Sequence, residues 1–235
     1  MTKSTVEEIR QRFDNDVERF SSLETGHAAA VDSPLIMDLI TRAAAACTPH
    51  AVDLLDIGCG AGNYSLKMLQ ALPNLNVALV DLSQPMLERA AQRVGAATSG
   101  QVVTHQADIR ELELGEARYD IILAAAVFHH LRADEEWRAV FAKCLRALRP
   151  GGAFWISDMI EHQHPPVQAL MKARYGEYLS AQRGDEYRET VFSYIEKEDT
   201  PRSILFQVDL LREVGFSAVE ILHKNSVFAA FGGMR

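Results

Sequence analysis

The sequence predicts an α/β fold built on one doubly wound, mostly parallel sheet, on three observations. From residue 51 onward short apolar runs alternate with helical stretches, the pattern of βαβ units whose sheet is covered on both faces. The first run, 51–57, carries an acid near its end and opens into Gly58-Cys59-Gly60-Ala61-Gly62, a turn that serves a ligand at the C-terminal edge of such a sheet. Two closing runs, 218–222 and 226–231, are separated by His223-Lys224-Asn225 alone. That link is too short for a parallel crossover, so the two pair antiparallel.

The elements follow in order. Ser4 and Glu7 have capping-box spacing, and Val6, Ile9, Phe13, Val17 and Phe20 form one apolar stripe of an N-terminal helix. A second helix starts with Ser33 as N-cap and Pro34 in its first turn. Strands are expected at 51–57, 76–81, 101–107, 119–126 and 152–158, with helices at 62–72, 84–94 and 134–148. After Asp158 comes the breaker MIEHQHPP, then a long helical stretch rich in Tyr and charge, then a helix capped at Thr200-Pro201 and ending at Gly215. This divides a single domain, 1–235, into a helical lid (1–48), a ligand-binding core (49–158), a helical insertion (159–200) and a closing helix with a strand pair (201–235).

With 235 residues the chain can bury a substantial core. Its net charge of −8 speaks against a general nucleic-acid surface, which needs clustered Lys and Arg. Cys47, Cys59 and Cys144 are odd in number and far apart, which points away from disulfides and structural zinc and towards a reducing cytoplasm. No apolar run reaches the ~20 residues needed to cross a bilayer, and the charged N-terminus lacks a secretory h-region, so no membrane association is expected.

Spacing separates the candidate ligands of the glycine turn. A dinucleotide fingerprint reads GxGxxG and a P-loop ends in GK[ST]; here the glycines read GxGxG and Asn63 follows. Asp81 ends the second strand, where a carboxylate accepts both ribose hydroxyl protons. Asp108 ends the third, where it would accept from an adenine amino group while Ile109 packs on the base and offers its N–H. Either acid alone is equally a cap on the next turn. Asp56, Asp81 and Asp108 at the ends of successive strands share one rim, and together they point to an adenosine-bearing ligand.

Through LDIGCGAGN, LVDLSQPML, QADI, YDIILAAAVFHHL and LRPGG, residues 50–158 resemble the class I S-adenosylmethionine-dependent methyltransferases. The resemblance implies a Rossmann-like seven-stranded sheet with an antiparallel last strand, S-adenosyl-L-methionine as cofactor and S-adenosyl-L-homocysteine as product. It implies that Asp56 orients the loop and that the backbone of Gly58, Cys59 and Gly60 approaches the methionine portion. Asp81 would hold the ribose, Leu82 or Met86 would flank the adenine, Asp108 with Ile109 would read it, and Ala124 would face the sulfonium. The layout of the whole chain is also similar to that of the carboxy-S-adenosylmethionine synthases of the wobble-uridine pathway. Arg188 and Arg202 lie where the extra carboxylate would be held, though in no recognisable motif.

Methyl transfer from a sulfonium needs alignment and a dry pocket more than a nucleophile or metal. His129 and His130 are the candidate bases, and HHL is equally a helix-starting turn. His162 and His164 sit where substrate would enter; an HxH pair alone is a weak ligand signal, and no metal is expected. Tyr175, Tyr178, Tyr187 and Tyr194 on the insertion serve packing or recognition, and its apolar stripe is either a homodimer face or the side packed on the core. Arg12 and Phe13, with His27 in the loop beyond, belong to the lid. The expected function is methylation of a small-molecule acceptor in an enclosed pocket by in-line transfer, with a carboxy-S-adenosylmethionine synthase-like enzyme or a non-catalytic cofactor-binding protein as the alternatives.

Overall fold

A computed structural model describes residues 3–22 and 28–235; His27 lies outside them. The described residues form a seven-stranded sheet of order β3-β2-β1-β4-β5-β7-β6. Its strands are β1 (Asp53–Ile57), β2 (Asn76–Asp81), β3 (Val102–Gln106), β4 (Tyr119–Ala125), β5 (Leu148–Met159), β6 (Ser217–Asn225) and β7 (Phe228–Met234). The first five are parallel, and β7 is antiparallel to both of its neighbours; the link from β6 is Ser226-Val227, and His223-Lys224-Asn225, expected as the link, pair with β7 as the end of β6. The order reverses between β1 and β4, so the crevice at their C-terminal ends is the switch point where such sheets bind ligands.

Two apolar cores flank the sheet because alternate side chains of each strand point to opposite faces. Leu54, Ile121 and Leu123 join the core formed with α3 (Ser33–Cys47), α4 (Asn63–Ala71), α5 (Gln84–Gly95) and α7 (Pro165–Arg183). Leu55, Ile57, Ile122 and Ala124 join the core on the other face, with α6 (Asp134–Ala147) and α9 (Ile204–Val214). In that second core Phe141 packs against Phe128, Trp137 and Phe154 at ring-centroid distances of 5.5, 5.8 and 5.8 Å.

The helices depart from expectation where tertiary contacts intervene. The N-terminal stripe is broken into α1 (Val6–Asp14) and α2 (Val17–Ser21). The capping box of α1 is Thr5 with Glu8, one residue beyond Ser4 and Glu7, because the Ser4 N–H is drawn to the Lys197 carbonyl on the insertion (2.9 Å). Ser33 is the first residue of α3 and not its cap; Asp32 precedes it at φ +57° and binds His223 and Asn225 at 2.9 and 2.8 Å. The insertion turns at Gly184, φ +85°, into α7 and α8 (Asp185–Glu198), and α9 is capped by Ser203 and not by Thr200. Met171, Val191, Phe192 and Ile195 of the insertion pack on the first core. No described helix is long and apolar enough to cross a membrane.

Phe141 is fully buried, so Phe141→Ala is expected to destabilise the fold by about 3–5 kcal/mol. Urea denaturation should show a lower midpoint with an unchanged slope.

Candidate functional site

Strand β1 delivers the chain into the glycine turn, where Gly58, Gly60 and Gly62 take φ of +63°, +50° and +83°. These are left-handed conformations that only glycine adopts without strain. A Cβ on Gly58 would lie 2.3 Å from the Val127 side chain, so this glycine lets the turn close against the loop after β4. At Gly60 nothing lies within 4 Å, which leaves its backbone open to a ligand. Asp56, fully buried beneath the turn, accepts from the Ser65 hydroxyl at 2.6 Å, and burial pushes its carboxyl up to about 7.

Asp81 holds the turn. One carboxylate oxygen accepts the Gly60 N–H at 2.8 Å and the other the Ser83 N–H at 2.9 Å. Burial still raises its pKa, against the hydrogen bonds that favour the charged form. A carboxylate has about four lone-pair sites, so acceptor capacity is left for a ribose diol. Cys59, Leu82, Met86 and Ile109 line the same cavity. Burial raises the Cys59 thiol far above its ordinary range, which removes it as a nucleophile.

Two expected cofactor residues stand differently from the sequence reading. Asp108 lies two residues beyond β3, not at its end, and its carboxylate is taken by Arg110 through the backbone N–H (2.9 Å) and the guanidinium Nε (3.0 Å). Burial works upward on Asp108, but Arg110 holds it below the usual carboxylate range. Ala124 does not line the cavity. The pleat turns it into the far core, and Ala125, Ala126 (φ +58°) and Val127 take its place.

The cavity, about 520 Å³, is lined on its other side by residues of α1, α2 and the insertion. Arg12 of α1 binds Glu198 at the end of α8, with Nε 2.9 Å from both carboxylate oxygens, and stacks on Phe13 at 4.2 Å and Tyr194 at 5.2 Å. Tyr175 lines the cavity and donates its hydroxyl to the Ala29 carbonyl at 2.9 Å; Tyr187 and Tyr194 also face it, whereas Tyr178 does not. At this end His129 Nδ1 contacts Asp158 of β5, and its Nε2 lies 3.7 Å from Asp199. Burial opposes the charge on His129, but Asp158 and Asp199 override it and push the imidazole up to about 9. His130, 3.3 Å from Asp199 through Nδ1, is driven well below its ordinary value by burial and by His129.

Other candidates lie elsewhere. His162 binds the Gln168 side chain through its backbone N–H at 2.8 Å, outside the cavity. Arg188 of α8 lies beside Gly176 of α7 and pairs with Glu189 at 2.8 Å, and Arg202 pairs with Asp134 at 2.8 Å. Neither lines the cavity. Sequence reasoning assigned no role to Asp158, Glu198 or Asp199. Asp158 was detectable as one more acid at a strand end on the same rim. Asp199 had no local signal, since it meets His129 across 70 residues of chain only through the fold.

This switch-point sheet, with its glycine turn and antiparallel last strand, has the Rossmann-like architecture of the class I S-adenosylmethionine-dependent methyltransferases. Residues 54–152 match the family model described as a methyltransferase domain. The 27-O-demethylrifamycin SV methyltransferase of Amycolatopsis mediterranei is 34% identical over 108 residues, 46% of this chain and only 38% of that protein. Carboxy-S-adenosyl-L-methionine synthase of Shewanella amazonensis is 25% identical over 83% of this chain and 81% of its own. The Burkholderia thailandensis 1,6-didemethyltoxoflavin-N1-methyltransferase, solved with S-adenosylhomocysteine, superposes with a TM-score of 0.63 at 20% identity, covering 100% of this chain and 92% of that one. That likeness is one of fold. S-Adenosylmethionine is the cofactor of this class, and the open backbone at Gly60, the spare acceptor capacity of Asp81 and the apolar Leu82, Met86 and Ile109 fit it.

Asp56 gives a pH test. Its folded pKa of about 7 lies above the ordinary carboxylate value of 3.8, so the folded state binds the extra proton and stability is lost as pH rises from near 4 to near 7. Asp56→Asn keeps an acceptor for Ser65 and removes this loss. Its Tm relative to the parent should rise by several degrees between pH 5 and pH 8; an identical pH dependence in both proteins would refute the assignment.

Proposed function

We propose that the protein transfers the methyl group of S-adenosylmethionine, in line, to a small-molecule acceptor inside this closed cavity. The observation that carries the reading is the continuity of one cavity from the glycine turn, Asp81 and Ile109 to a second wall of Arg12, Phe13, Tyr187, Tyr194 and the His129–His130–Asp199 end. The first wall suits the cofactor. The second suits an acceptor with a flat apolar body and one ionisable group, received at the polar end where His129 and His130 border the cavity.

When bound, the cofactor supplies an electrophilic methyl carbon that carries its own leaving group. The chain has to exclude water and align the acceptor. Water exclusion falls to α1 and α2, which are tied down at both ends. Arg12 binds Glu198 on the insertion, and on the other side Arg89 of α5 binds Ser21 at 3.1 Å. The negative net charge and the closed cavity favour a small acceptor over a nucleic acid.

The match to carboxy-S-adenosyl-L-methionine synthase over most of both chains supports a second reading, in which the ligand is carboxylated. Mass spectrometry of ligand released from the purified protein decides between them. S-Adenosylmethionine or S-adenosylhomocysteine is expected, and a carboxylated form would establish the second reading. Asp81→Ala should weaken S-adenosylmethionine binding by at least about tenfold, or about 1.4 kcal/mol, in calorimetry. Deleting residues 1–22 should also weaken it while leaving a cooperative thermal transition; unchanged affinity would remove the lid role.

A further inference from the structure

We propose that His129, His130 and Asp199 form a site for one divalent transition-metal ion of the zinc type at the acceptor end of the cavity. One donor atom from each of the three lies within 4.8 Å of the others. Asp199 Oδ1 is 3.3 Å from His130 Nδ1 and 3.7 Å from His129 Nε2. With metal–ligand bonds of about 2.0–2.1 Å, adjacent donors of a tetrahedral ion stand about 3.3 Å apart, close to the two Asp199–histidine distances.

The surroundings are those of a ligand set. Asp158 takes His129 Nδ1 and leaves Nε2 for the ion, the carboxylate–histidine arrangement that orients metal-bound imidazoles. Asp158 is itself fixed by the N–H groups of Phe128 and Met159, each at 2.7 Å. Asp199 is held beside the histidines because the Thr200 N–H donates to the His129 carbonyl at 2.6 Å. His130 Nδ1 lies 3.3 Å from Asp199 Oδ1 and 3.4 Å from the Glu198 carbonyl, and the buried Nε2 has no hydrogen-bond partner among the described residues. The neighbouring cations are engaged elsewhere. Arg12 is on Glu198, Arg132 donates to the Thr200 hydroxyl at 2.7 Å, and Lys3 donates to the Glu196 carbonyl at 2.8 Å and to that of Asp199.

All three ligands border the cavity, so the fourth position opens towards the acceptor. An ion there would acidify an acceptor hydroxyl bound to it, the proton passing to bulk solvent as the acceptor enters and before water is excluded, and would leave an oxygen lone pair for methylation. This use of the ion rests on the methyl-transfer reading; the binding site itself does not.

The full chain, stripped with a chelator, should be titrated with Co²⁺ by visible absorption and with Zn²⁺ by calorimetry. One equivalent is expected to bind, with the d–d bands of a four-coordinate ion. The isosteric Asp199→Asn and His130→Ala should abolish the bands. Asp158→Asn should weaken binding by about 10–100-fold. No binding, or equal binding by parent and variants through surface histidines, would overturn the site. S-Adenosylmethionine titration of the same proteins keeps the two readings apart: binding by the parent and by Asp199→Asn supports the cofactor site whatever the metal result, and failure of the parent to bind would sink the methyltransferase reading alone.

Discussion

The Asp81 carboxylate, half-buried at the end of β2, is the constraint on which the site depends. It receives the N–H of Gly60 from the turn after β1 and the N–H of Ser83 from the start of α5. One acid therefore joins two βα units at the switch point and sets the left-handed turn that glycine permits. A buried carboxylate costs free energy unless its lone pairs are used. Here the backbone supplies the partners, and the capacity left over is directed at the crevice. Asp56 one strand away and Asp108 beyond β3 are spent differently, on Ser65 and on Arg110. The acids of the rim thus play three different roles.

The opposite wall is built from segments far apart in sequence. Residues of α1 and the end of α8 meet through Arg12 and Glu198, with Ser4 and Lys197 paired beside them. Thr200 then reaches back to His129. This polar seam brings the lid, the insertion and the turn after β4 to one place. Its buried charges are mutually paired, which gives the seam one well-defined arrangement and makes any single unpaired member costly.

Strand positions were legible because a parallel sheet covered on both faces writes itself as apolar runs: β2 was found to the residue, and β1, β3 and β4 to within two residues at either end. Helix starts were less legible. Ser4, Ser33 and Thr200 all have capping chemistry, but the chain is capped at Thr5, enters α3 from Asp32 and is capped again at Ser203. Competing tertiary hydrogen bonds decided between neighbouring residues of similar propensity. Ala124 was misplaced by a single step of the pleat, which is enough to turn a side chain to the other face.

The sheet and the glycine turn with Asp81 beyond it could be read from the chain alone because these are local: a strand, its turn and the acid at its end are contiguous, and their spacing is their geometry. Only the tertiary structure decided the other wall. His129, Asp158 and Asp199 come from β4's exit, β5 and the end of the insertion, and His162 and Arg188, candidates by their place in the chain, do not line it. The reason is physical. A cluster assembled by long-range packing has no period or spacing in the chain, since its distances are set by how the insertion folds back onto the sheet.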